Sequence, residues 1–166
     1  MPNPNHSWII PTHAQVAKRG IFLRFATPLN PESASKAASY EVRRWNYKRT
    51  PNYGSPHYKL DETKGTETLP VASVKVSKDK HSVFLGVPDM REVMQIEVGY
   101  KMNANDGTPI QSKTFLTAHL LRKMALDERG FANNRVNLKV DGLIPAKKPP
   151  AKPSIEKGKA LYAQLG

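Results

Sequence analysis

Apolar and polar residues alternate along much of the middle of this chain, with the period of two that is typical of half-buried β-strands. The alternation begins near Gln15, and Ile21, Leu23 and Phe25 then share one face of a predicted strand. It returns in five later segments, which are Tyr40–Tyr47, Val71–Val76, Ser82–Val87, Met94–Tyr100 and Lys113–Leu120. No long amphipathic helix separates these segments, so the pattern predicts an all-β, antiparallel β-sandwich and not a parallel α/β fold.

The same alternation predicts which side chains point into the sandwich. The inward-facing sets in the later strands are Val83, Leu85 and Val87, followed by Met94, Ile96, Val98 and Tyr100. In the last strand the period fits two choices equally, either Phe115 with Thr117 or Leu116 with Ala118.

Turn and cap residues mark the ends of these strands. Asn30 followed by Pro31 predicts a short helical turn over Glu32–Ala38, with Asn30 as its N-cap. Asn105-Asp106-Gly107 predicts a tight turn. The polar, aromatic-bearing stretch Lys48–Thr68 is too long for a hairpin turn, and a loop of that length is usually functional or disordered.

The pattern weakens after Leu121. Leu121–Leu126 is compatible with a helical turn, and Asn134–Val140 with an additional strand. We therefore expect four parts: an extended lead-in over 1–14, the sandwich over 15–143, a proline- and lysine-rich linker over 144–153, and the start of a further helical domain over 154–166.

Composition narrows the possible chemistry. The 166 residues include no cysteine, which excludes a disulfide, a cysteine zinc site or a covalent haem attachment within the chain. No apolar run is long enough to cross a bilayer. The net charge of +12 favours either a polyanionic partner or simple solubility, and part of it lies in the proline-rich tail.

Aromatic and basic residues cluster around the long polar stretch and form our candidate interaction surface. It consists of Trp45, Tyr47, Tyr53, Tyr58, Arg43 and Arg49. Such rings can stack on sugars or fill a partner's pocket, but strand aromatics more commonly pack the edge of the sandwich. Together with Arg44, the arginines could also form a platform for single-stranded nucleic acid.

Nothing in the pattern predicts catalysis. The adjacent carboxylates Asp61-Glu62 and Asp127-Glu128 would point to opposite faces of a strand, which is wrong for an acid/base pair. The five histidines lack local metal-ligand spacing; they are His6, His13, His57, His81 and His119. We therefore expect a non-enzymatic chain with no catalytic residue, metal or cofactor.

Several segments resemble known bacterial modules. Phe22–Pro31 followed by Ser39–Val42 resembles the opening of bacterial immunoglobulin-like domains, and Lys78–Leu85 resembles their next hairpin. More specific segments resemble a module of large exported redox proteins that follows a sugar-dehydrogenase-like β-propeller and precedes a c-type cytochrome domain. These segments are Arg43–Tyr47, Asn52–Tyr58, Asp106–Pro109 and Thr117–His119.

The tail strengthens this resemblance, since Glu156–Gly166 is similar to the first helix of such cytochromes. In that family a Cys-x-x-Cys-His haem attachment follows, which this chain does not contain. The resemblance implies an immunoglobulin-like spacer or docking module of a larger periplasmic or extracellular protein, with flanking domains as its partners. Carbohydrate binding by the aromatics and polyanion binding by net charge are the alternatives.

Overall fold

The computed structural model describes residues 9–140. The first eight residues of the predicted lead-in, the predicted linker over 144–153 and the predicted helix over 154–166 lie outside this range. Within it, nine strands follow one another. They are β1 (His13–Ala17), β2 (Gly20–Arg24), β3 (Tyr40–Tyr47), β4 (His57–Tyr58), β5 (Glu67–Leu69), β6 (Ser73–Val76), β7 (Ser82–Gly86), β8 (Val93–Asn103) and β9 (Pro109–Ala118).

The strands form two antiparallel sheets. One sheet has the order β1-β2-β7-β6, and the other has the order β4-β3-β8-β9 with β5 also pairing with β3. This is the strand order of an immunoglobulin-like sandwich, in which strands A, B, E and D form one sheet and strands C, F and G belong to the other. The predicted all-β, immunoglobulin-like fold is therefore confirmed. The lead-in ends earlier than predicted, because β1 already begins at His13.

The core between the sheets contains most of the predicted inward-facing residues. Ile21, Leu23 and Phe25 of the first sheet are buried there, and so are Val83, Leu85 and Val87. From the second sheet come Ile96, Val98 and Tyr100.

Met94 is the exception, and the prediction for it was wrong. A β-bulge between Val93 and Ile96 shifts the register of β8, so that Val93 is 5% exposed and Met94 is 48% exposed.

The last strand resolves the choice that periodicity left open. Ala118 is fully buried and Leu116 packs against the core, whereas Phe115 points outwards and is 56% exposed. The strand also begins at Pro109, four residues before the predicted start, because it pairs with β8 along the whole hairpin from Asn103 opposite Pro109.

Asn30 caps a helix as predicted, although the helix is shorter. Its side-chain Oδ1 accepts a hydrogen bond from the backbone N–H of Ser33, and Pro31 occupies the first helical position. The α-helix α1 spans Pro31–Ala34, and a 3₁₀ turn at Ala37–Ser39 follows it.

The long polar stretch is more ordered than an open loop. His57–Tyr58 and Glu67–Leu69 return as β4 and β5 beside the two halves of β3. An irregular loop remains over 49–56, and a turn closes over 59–66, where the N–H of Gly65 donates to the carbonyl of His57.

The segment after β9 forms neither the helical turn considered at Leu121–Leu126 nor the strand considered at Asn134–Val140. Residues 121–138, which we call the strap, instead cross the outer face of the β1-β2-β7-β6 sheet. Leu126 and Phe131 of the strap are at most 2% exposed and pack on Phe22 and Phe84. The strap contains one 3₁₀ turn, Asp127–Arg129. It gives the sandwich a second, smaller apolar cluster outside the main core.

Candidate interaction surface

The two sheets differ in what covers their outer faces. The strap covers the outer face of one sheet, where Ala17, Phe22 and Phe84 are at most 3% exposed. The outer face of the β4-β3-β8-β9 sheet, which we call the open face, has no such cover among residues 9–140. In register, Glu41, Gly99 and Lys113 form one row across it, and Arg43, Glu97 and Phe115 form the next.

Trp45 lies at one end of the open face, but it is only 4% exposed. The ring of His57 from β4 stacks on the indole with a centroid distance of 4.4 Å and an interplanar angle of 17°. Trp45 therefore packs the edge of the sandwich. This burial removes the platform that stacking on a sugar would require.

Tyr47 and Met94 form an exposed rim next to this stack. The Tyr47 ring meets His57 edge to face at 5.7 Å, and 38% of the residue stays exposed. The backbone N–H of Tyr47 donates to Met94 Sδ at 3.3 Å, and the N–H of Met94 donates to Asn46 Oδ1 at 2.9 Å. The Met94 side chain is thus held against the backbone of β3, and the Tyr47 ring is held against His57, which suits a contact surface.

Tyr53 is the most exposed aromatic residue of the described chain and lies in the 49–56 loop. Arg49 of the same loop is also exposed, whereas Tyr58 is half-buried. The Lys48 ammonium lies 4.8 Å from the centre of the Tyr58 ring and 3.5 Å from Glu62. The structure thus separates Tyr53 and Arg49 in the loop from Tyr58 on β4.

The two neighbouring arginines of β3 differ in exposure, because Arg43 lies on the surface and Arg44 is buried. Arg43 lies on the open face and pairs with Glu41 at 2.6 Å; hydrogen bonding of its guanidinium to the Glu41 carboxylate is the main cause of the raised pKa of Arg43. Arg44 is 4% exposed and binds the carboxylates of Glu67 at 2.9 Å and Asp89 at 3.0 Å. Arg44 is therefore buried in this network and is not exposed for a nucleic-acid platform.

The pKa of Asp89 reflects its hydrogen bonds with the buried Arg44. Burial acts to raise the pKa of Asp89, but hydrogen bonds from Arg44 and Arg91 outweigh it, so the pKa lies below its ordinary value. These bonds favour the ionised carboxylate, and through them Arg44 links the β7–β8 connection, which carries Asp89, to β3.

A shallow hollow of about 650 Å³ lies on the open face where β3 begins, opposite Gly99 of β8. Its floor is at Gly99, where no side chain projects, and Phe115 forms part of its rim. Charged and polar walls come from Glu41, Lys101 and Lys113. The face thus offers an exposed aromatic side chain beside a concave surface.

Sequence reasoning missed Phe115, Met94 and the strap. A signal for the strap was nevertheless present, because β2 and β7 carry apolar residues on both faces, as buried strands do. Phe22 and Phe84 required a cover, and Leu126 and Phe131 are the large apolar residues that provide it.

The described histidines and helices were the candidates for metal binding and for membrane insertion. Among residues 9–140 no three His, Asp or Glu side chains are grouped so as to hold a metal ion. His57 stacks on Trp45, and the ring of His81 lies 3.0 Å from the carbonyl oxygen of Phe25. No helix in the described range is long and apolar enough to span a membrane.

Comparison with known proteins gives one distant likeness. No protein-family model and no curated protein matches the chain. Domains 1–6 of the surface layer protein SbsC match with a TM-score of 0.48 and 13% sequence identity, covering 68% of this chain and 14% of that chain. At that TM-score, the fold assignment depends on the strand order and register of the chain itself.

Proposed function

We propose that this chain is a non-catalytic, immunoglobulin-like docking and spacing module that binds a c-type cytochrome domain through its open face. The observation that carries the proposal is the contrast between the two outer faces. The strap covers one face, while the other presents Phe115 at the rim of a hollow, and Met94 and Tyr47 are exposed at the opposite end of β3 and β8. Exposed aromatic and methionine side chains on rigid strands are typical of protein interfaces.

The choice of partner follows from the sequence resemblance. The segments around Trp45 and Tyr58 resemble a connector of exported redox proteins, and Glu156–Gly166 is similar to the first helix of a c-type cytochrome. In this proposal the module acts by geometry, because it holds a haem domain at a fixed distance from a dehydrogenase-like domain. A periplasmic or extracellular location belongs to the same proposal.

Titration of the ¹⁵N-labelled chain with a soluble bacterial c-type cytochrome domain tests this function. We expect saturable shifts and paramagnetic broadening of amide signals in β3, β8 and β9. Phe115→Ser should weaken binding about tenfold, because it removes an aromatic anchor from the centre of the face.

Leu120→Ser is the matched control, since Leu120 is also 56% exposed but lies beyond the end of β9. It should change the affinity less than about twofold, within the range of neutral contacts. Equal losses in the two variants, or no shifts on the open face at saturation, would contradict the proposal.

A further inference from the structure

The end of the strap is held by two cationic side chains. The Lys75 ammonium donates hydrogen bonds to the carbonyl oxygens of Asn133 at 2.7 Å and Arg135 at 2.8 Å, and to Asn133 Oδ1 at 2.6 Å. The Arg19 guanidinium donates to the carbonyl oxygen of Asn134 at 2.8 Å. Burial and then the charge of Arg19 lower the pKa of Lys75. The fold thus keeps two like charges close together.

Further basic residues meet at the same place. The backbone N–H of Lys18, in the β1–β2 turn, donates to the carbonyl of Arg122 at 3.0 Å, which brings this turn beside Arg122 and Lys123. We call the resulting surface the basic patch. It consists of Lys18, Arg19, Lys75, Arg122, Lys123 and Arg135.

No acidic side chain neutralises this patch within residues 9–140. None of its six members forms an ion pair there, whereas the ion pairs of the described chain involve other basic residues, namely Arg24, Arg43, Arg44, Lys48, Arg91 and Lys113. Asp127 of the strap accepts a hydrogen bond from the backbone N–H of Glu128 and forms no ion pair with a residue of the patch. The patch is therefore a concentrated source of positive potential.

A groove of about 360 Å³ leads to the patch between β1 and the end of β9. Gln15, Val16, Thr117 and Leu120 line it, and Arg122 contributes to the same lining. An extended polymer chain bound at the patch could continue along this groove.

The shape of the patch distinguishes between classes of polyanion. None of its residues is aromatic, so it offers no ring on which an unpaired base could stack. It is built from the β1–β2 turn, Lys75 of β6 and the irregular strap, and it presents no helix and no free β-ribbon that could enter a groove of double-stranded DNA, because β1 and β2 belong to the four-stranded sheet. From this charge complementarity we propose that the basic patch binds an acidic polysaccharide. This site is separate from the open face and does not depend on the docking function.

Two triple variants of equal charge test the proposal. Lys18→Gln, Arg122→Gln and Lys123→Gln remove three patch charges and leave Arg19 and Lys75 to hold the strap. Lys36→Gln, Lys64→Gln and Lys80→Gln remove three exposed charges elsewhere. Binding of a size-defined heparin oligosaccharide is measured by calorimetry over a range of salt concentrations, beside a DNA duplex with the same number of charges.

We expect the patch variant to bind the oligosaccharide at least about tenfold more weakly at about 0.15 M salt, with a salt slope reduced by two to three. The control variant should lose less than about twofold. Equal losses in both variants would show that only the net charge matters and would overturn the proposal. Absence of measurable oligosaccharide binding at that salt, or equally tight binding of the duplex, would also overturn it.

Discussion

Trp45 shows how burial decides the role of a single residue. The sequence alone left it either as a binding residue or as a packing residue, because alternation places it on the outer face of β3. The structure covers it with His57, a residue twelve positions away whose approach depends on the fold of the 49–56 loop. Local sequence does not carry that information, which is why the prediction remained open.

We expect Trp45→Ala to lower the free energy of unfolding by about 3 kcal/mol, as loss of a buried aromatic side chain usually does. Tyr53→Ala, at a fully exposed position, should change it by less than about 0.5 kcal/mol. Urea unfolding followed by circular dichroism measures both. Similar unfolding midpoints for the two variants would show that Trp45 does not pack the edge as described.

The strap is the element that differs most from the sequence-based prediction, which considered a helical turn and an additional strand in this segment. Its anchors, Leu126 and Phe131, follow no strand or helix period, so no pattern in the strap itself predicts its path. The only available signal was the run of apolar residues on both faces of β2 and β7, which the sequence-based prediction did not use. Regular alternation identified the strands well. The bulge in β8 depends on pairing with β9, which alternation does not reveal, and the predicted inward orientation of Met94 was therefore wrong.

We expect Phe131→Ala to destabilise the sandwich by about 3 kcal/mol, because it opens a cavity between the strap and the β1-β2-β7-β6 sheet. Phe115→Ala is the matched control, since it truncates the same kind of side chain on the open face and should cost less than about 0.5 kcal/mol. Thermal and urea unfolding give the comparison. If both variants lost the same stability, the strap would contribute no packing.

At the scale of the whole molecule, the two outer faces and the basic patch differ in charge and in exposed apolar area. Residues 9–140 contain 21 Lys and Arg against 12 Asp and Glu, and the patch gathers six of these basic residues beside the strap. The open face instead carries paired charges, Arg43 with Glu41 and Lys113 with Glu97. Net charge and periodicity predicted a basic sandwich. Only the fold shows that ion-paired charges and Phe115 lie on the open face, whereas basic residues without an ion pair within residues 9–140 are concentrated in the basic patch.

Thiol labelling tests this division of the surface most directly, because the chain contains no cysteine of its own. Ala17→Cys places a single thiol beneath the strap, and Phe115→Cys places one on the open face. Each labelling rate is normalised to the rate of the same variant in denaturant. We expect the thiol at position 115 to react at nearly its unfolded rate, and the thiol at position 17 to react at least about a hundredfold more slowly, because the strap must first open. Equal normalised rates at the two positions would contradict the account.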